Sequence, residues 1–157
     1  MVTKALVVDE DLEAIQIEDG RLKVDAEITV DSVPICENLT ILPFATYSDS
    51  NVSETQTNER AVGAYILFDI TGIPGAGQTV TLFVDILQLD GTFTAIYQSA
   101  ALATIGLRKY LIYPGAVDDN SQLTGVTRLS LPRTWRIRLN HSAPGNFTYG
   151  IGGYYLA

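Results

Sequence analysis

The sequence predicts an all-β protein: an antiparallel, jelly-roll-like β-sandwich preceded by an extended N-terminal arm that contains a β-hairpin. Three observations predict it. Apolar residues alternate with polar ones at period two in run after run, and β-branched and aromatic side chains dominate those runs. Gly, Pro and Asp clusters punctuate the runs at intervals of roughly 10–14 residues, the rhythm of short strands and turns. No span carries the 3.6-residue periodicity of an amphipathic helix.

The elements follow in order. Residues 1–38 read as an acidic arm, and residues 39–157 as the sandwich. Residues 1–60 hold thirteen acids against four bases, whereas 61–157 hold five acids against six bases, so the chain's net charge of −8 is concentrated at one end. In the arm, Ile15 and Ile17 alternate with polar residues, Asp19-Gly20 supplies a two-residue turn, and Leu22 and Val24 alternate again. Such a hairpin is too small to stand alone in water, so its four apolar residues are candidate anchors against another surface. Pro34 discourages a helix in the extended stretch that follows.

Residues 39–47 predict the first domain strand, with Pro43 marking an edge or a bulge. Residues 48–60 predict a polar loop. Ala64, Ile66, Phe68 and Ile70 share one face of the next strand. Gly72 to Gly77 is turn chemistry. Val80, Leu82, Val84 and Ile86 share a face of the strand after it, Asp90-Gly91 is a second hairpin turn, and Phe93, Ala95 and Tyr97 share a side. These three strands predict a meander. Residues 100–104 predict a loop or a helical turn. Strands are expected over Leu107–Tyr113, Gly125–Leu131, Thr134–Asn140 and Phe147–Leu156.

The composition excludes several function classes. A pI near 4.4 lacks the basic footprint of a nucleic-acid binder. No run approaches the ~18 apolar residues of a membrane span. The apolar stretch near the start is too short for a signal peptide, which predicts cytoplasmic synthesis without export. Asn38-Leu-Thr40, Asn51-Val-Ser53 and Asn146-Phe-Thr148 match the glycosylation pattern, which without export is a chance match. Cys36 is the only cysteine, so there is no intrachain disulfide and no thiolate metal cluster.

Catalytic material is sparse. His141 is the sole histidine and has no Gly-x-Ser-x-Gly elbow to support it. Asp69 and Asp85 lie within strands and would serve glycoside hydrolysis if they shared a cleft, but alternation predicts ordinary outward positions. Asp118 and Asp119 offer hard oxygens to Ca²⁺, without the spacing of an EF-hand, and a plain turn is the default there. Nothing in the sequence calls for a cofactor. The expectation is a non-enzymatic protein that holds on to neighbours. Residues 1–38 are the first expectation for intersubunit contact, and Arg136 and Arg138 carry more weight than any of the catalytic or metal candidates. Trp135, Ile137 and Leu139 take the core face of that strand, so both guanidiniums face out, either into water or onto carboxylates of an adjacent subunit, the acidic arm among them.

The stretch from Ser130 to Leu156, with Trp135-Arg136-Ile137-Arg138 and the final Tyr154-Tyr155, resembles the end of small β-sandwich proteins among tailed-phage structural genes. Arg60 to Gly72, Leu82 to Gln88 and the Glu18 to Asp25 hairpin fit the same pattern. The resemblance covers about two thirds of the chain, and its motifs are structural. It implies a virion component made in the host cytoplasm: a capsid decoration (cement) protein or another head or tail accessory. The implied partners are other virion proteins, the major capsid protein first among them, and further copies of the chain. A trimer is common for such proteins. The alternative reading is a tail-associated carbohydrate- or receptor-binding module, because one of Tyr154 and Tyr155 must face outward.

Overall fold

The computed structural model describes residues 16–18, 21–23, 38–117 and 123–156. The chain divides into two units, Met1–Val33 and Pro34–Ala157. In the first, β1 (Gln16–Glu18) and β2 (Arg21–Lys23) pair antiparallel, with Ile17 opposite Leu22 and Glu18 opposite Arg21. That is the register a two-residue Asp-Gly turn imposes. Ile15, Val24, Asp19 and Gly20 lie outside the described residues.

The second unit is built from β3 (Asn38–Tyr47), β4 (Asn51–Val52), β5 (Gln56–Thr57), β6 (Gly63–Gly72), β7 (Val80–Leu87), β8 (Phe93–Gln98), β9 (Gly106–Ile112), β10 (Gly125–Thr127), β11 (Thr134–His141) and β12 (Phe147–Leu156). One sheet runs β10-β9-β6-β12-β3, and the other runs β4-β11-β7-β8 with β5 also on β11. Every pairing is antiparallel except β10 on β9. Take β4 and β5 as one interrupted strand and set the short β10 aside. The eight remaining strands then order as 1-8-3-6 in one sheet and 2-7-4-5 in the other, which is the strand order of a jelly roll.

The inward positions of both sheets close one core. From the first sheet come Ile66, Phe68, Ile70, Tyr110, Phe147, Tyr149 and Ile151; from the second come Val80, Leu82, Val84, Trp135, Ile137 and Leu139. Each fully buried aliphatic or aromatic side chain contributes on the order of 1.5–3 kcal/mol. Aromatic pairs span the gap between the layers. Trp135 meets Tyr155 edge-on at 6.3 Å, and Tyr97 tilts against Tyr110 at 5.6 Å. The Trp135 Nε1–H donates to the Tyr155 hydroxyl at 3.3 Å, so the indole brings no unpaired donor into the core.

Several local expectations are corrected. β6, β7 and β8 do not form a meander: β6 lies in one sheet and β7–β8 in the other, so Gly72–Gly77 arches between layers. Alternation marks the inward side of a strand but does not name its neighbour. The polar stretch 48–60 contains β4 and β5, which line the edge of β11 in place of a free loop. The expected strand over Gly125–Leu131 shortens to β10. Of the two alternatives for residues 100–104 the loop is observed, held by Leu102 bridging Val80 with N–H···O distances of 2.9 and 3.0 Å.

Pro43 is where the sequence places it, on the edge strand β3 beside an irregularity in the pairing with β12 between Tyr149 and Ile151. Gly91 has φ +83°, the left-handed region an Asp-Gly turn demands, and the Asp90 carboxylate accepts from the Thr92 N–H at 2.9 Å.

Candidate functional site

Two outer faces carry the material for recognition. The first belongs to the β4-β11-β7-β8 sheet. Alternation along β11 turns Trp135, Ile137 and Leu139 inward and Arg136 and Arg138 outward. The register sets Arg136 opposite Asp85 and Arg138 opposite Phe83. Arg138 nevertheless takes Asp85 diagonally, with Nε donating to Oδ2 at 2.8 Å and Nη2 to Oδ1 at 3.0 Å. This two-pronged geometry is the strongest form of arginine–carboxylate pairing. Arg136 Nε stops 3.6 Å from the same Oδ2, beyond hydrogen-bond reach, and is buried without an acceptor. Each guanidinium lies over an aromatic ring, Arg136 over Phe93 at 3.8 Å and Arg138 over Phe83 at 4.1 Å.

Asp85 is therefore both outward by alternation and only 1 % exposed, because the two arginine side chains cover it. The expected outward position of Asp85 is observed, and its burial beneath the two arginines is what alternation does not foretell. Water or another subunit was the expected environment for the arginines, and the carboxylate they share within the chain is an addition to it. Sequence inspection missed this contact. Its signal was an acid interrupting the apolar run Val80–Leu87, but only the pairing of β7 with β11 converts that signal into a partner. The strands of this sheet carry two guanidiniums and one carboxylate, each arginine side chain remaining 28–29 % exposed.

The second face is the outer side of the β10-β9-β6-β12-β3 sheet. Cross-strand register aligns Tyr154, Tyr65 and Leu111 in one row, and Gly152, Leu67 and Lys109 in the next. Phe44, 58 % exposed, and Leu107, 48 % exposed, extend the apolar surface. Gly150 and Gly152 leave a low floor between them. A Cβ at Gly150 would meet the Phe44 side chain at 3.0 Å. Lys109, opposite Leu67, and exposed Asp69, opposite Leu107 and Gly150, break this apolar surface with charge.

The candidate catalytic residues do not converge. Asp69 is exposed on the outer side of β6, and Asp85 sits on the outer side of the opposite sheet, so the two carboxylates share no cleft. His141 stacks on Phe147 at 3.9 Å, and its Nε2 lies 3.1 Å from the Tyr149 hydroxyl. Its Nδ1 is buried without a hydrogen-bond partner, so no acid orients the ring as a triad requires. Burial lowers the His141 pKa, and nearby Asp49 partly opposes that. Burial also raises the pKa of Tyr149 well above the usual phenol range. Tyr155 points inward and donates its hydroxyl proton to the Thr57 carbonyl at 3.1 Å, leaving Tyr154 as the outward member of that pair.

A shallow pocket is lined by Asn58, Glu59, Arg60, Ala61, Leu131 and Arg133. The Asn58 amide is already committed to the Ala61 and Leu131 carbonyls at 2.7 and 3.2 Å. Among the described residues no three His, Cys, Asp or Glu side chains gather to hold a metal, and no helix is long and apolar enough to cross a membrane. Asp118 and Asp119 lie outside the described residues. Ile17 and Leu22 are placed opposite each other in the hairpin, on a unit separate from Arg136 and Arg138.

No family model matches the chain, and no curated protein matches it. Among solved structures, a chain in the structure of infectious bursal disease virus, Gt strain, is similar at a TM-score of 0.41 and 12% identity, over 97% of this chain and 42% of that one. The chain thus spans less than half the length of that viral protein.

Proposed function

We infer that the protein is a non-enzymatic bacteriophage structural protein, a capsid decoration protein that binds the assembled virion and stabilises it. One observation carries this reading. Both outer faces of the sandwich present contact chemistry, aromatic and aliphatic on one side and guanidinium on the other, while the candidate catalytic side chains stand apart from one another. Jelly rolls recur in viral capsid and lectin domains, a fold-level analogy that agrees with the sequence resemblance to tailed-phage structural proteins. Stabilisation arises by mass action: a protein that binds the shell and not its dissociated subunits shifts the equilibrium toward the shell. The partners are the major capsid protein and further copies of the chain, with Ile15, Ile17, Leu22 and Val24 as apolar anchors from the arm.

The test compares particles from the encoding phage with and without this gene, imaged by electron cryomicroscopy and challenged by heat. Extra density on the shell and a higher rupture temperature in the complete particle are expected. Identical particles would overturn the reading. A second reading, a tail-associated carbohydrate-binding module, draws on Tyr154, 38 % exposed and paired across strands with Tyr65. Glycan-array binding that is lost in Tyr154→Ala would favour it.

A further inference from the structure

We propose that the arginine face of the β4-β11-β7-β8 sheet is a docking site for the acidic N-terminal segment of a second copy of this chain, with Asp9, Asp11 and Glu13 as the carboxylates it receives. The proposal rests on the reading of the chain as an assembling protein and names one of its contacts. Three observations support it.

The first is unequal charge on one small surface. Asp85 is shared by two guanidiniums, and Arg138 holds both of its oxygens. Arg136 is left with a buried Nε that finds no acceptor and an outer edge still partly in solvent. A buried donor of this kind carries a desolvation cost until an acceptor reaches it. A second carboxylate arriving from outside would reach the solvent-facing edge of the Arg136 guanidinium and balance the charge.

The second is complementarity within the same sequence. Residues 1–37 hold ten acids against three bases, whereas residues 38–157 hold eight against seven. The surplus negative charge of the chain thus lies almost wholly in the segment before the sandwich, and the sandwich presents a local positive excess on this face. Opposite potentials of this kind steer encounter and select register.

The third is spacing. Arg136 and Arg138 are two residues apart on one strand face, about 7 Å between equivalent atoms. Asp9, Asp11 and Glu13 have the same two-residue period, so an extended segment aligned with β11 would offer carboxylates at the interval of the guanidiniums. The stacked rings hold the guanidiniums in place beforehand, which lowers the ordering cost of binding.

The experiment uses the full chain in sedimentation equilibrium at low and high salt. The parent should self-associate at low salt and weaken as salt rises. The triple variant Asp9→Lys/Asp11→Lys/Glu13→Lys, which leaves the sandwich untouched, should weaken association about tenfold or more, and Arg136→Gln, which spares the Arg138–Asp85 pair, should do likewise. A triple variant that associates as tightly as the parent overturns the proposal, as does a parent that is monomeric at every salt concentration. So does a concentration-independent change in the arginine Nε–H NMR signals of the triple variant, because that places the segment on its own sandwich. Particle binding by the parent is measured separately: if it persists while self-association is absent, this contact fails and the wider reading stands.

Discussion

Breaking the Asp85–Arg138 pair from one side should cost more than removing it altogether. The Asp85 side chain is 2 % exposed and receives two charge-assisted bonds, at 2.8 and 3.0 Å. Arg138→Met deletes both and leaves a buried carboxylate with only Arg136 Nε at 3.6 Å. Removing one partner of a fully buried pair costs about 3–5 kcal/mol. Here the guanidinium is 29 % exposed and Arg136 can move onto the vacated oxygens, so the expected loss is about 2–3 kcal/mol. Asp85→Leu leaves two adjacent guanidiniums that can still reach water, at a cost of about 2 kcal/mol. The double variant buries no unpaired carboxylate and leaves only the partly exposed Arg136 without its neighbour, so it should lose only about 1 kcal/mol and the pair is strongly non-additive. Urea unfolding followed by the fluorescence of Trp135, the only tryptophan and fully buried, reads all four proteins. A double variant whose loss equals the sum of the singles would refute the reasoning.

Three further outcomes are expected. The His141 imidazole should titrate below the usual histidine value in an NMR pH series, because burial disfavours its charged form. Its folded pKa lies under its unfolded one, so the unfolded chain binds more protons between them. Stability should fall as pH drops below about 6.5 and level off once the folded value is passed, and His141→Phe should abolish that component. Gly153→Ala should destabilise by about 3 kcal/mol in thermal unfolding, since a Cβ there would collide with the Tyr65 carbonyl across the β12–β6 pairing. Phe44→Ser with Leu107→Lys should change stability by only about 0.5 kcal/mol, both residues being largely exposed, yet reduce co-sedimentation with particles if the apolar face is a contact surface.

The class of fold was legible along the chain because alternation is a local property. Ile66, Phe68, Val80, Leu82, Val84, Trp135, Ile137 and Leu139 could be assigned to a core before any partner strand was known, and each is fully buried. Pro43 and the Asp90-Gly91 turn were readable for the same reason, since their backbone requirements are carried by the residues themselves. Strand neighbours were not readable. Nothing local distinguishes a Gly-Pro turn that closes a hairpin from one that arches to the facing sheet, so the expected meander of β6, β7 and β8 dissolved into two layers. The same limit hid the contact of the two arginines with Asp85. Outward Arg136 and Arg138 and the acid within β7 could be located singly, but their union depends on β11 lying beside β7, with Phe83 and Phe93 under the guanidiniums. Which way a side chain points follows from its own strand; what it meets depends on long-range pairing, which the whole core settles at once.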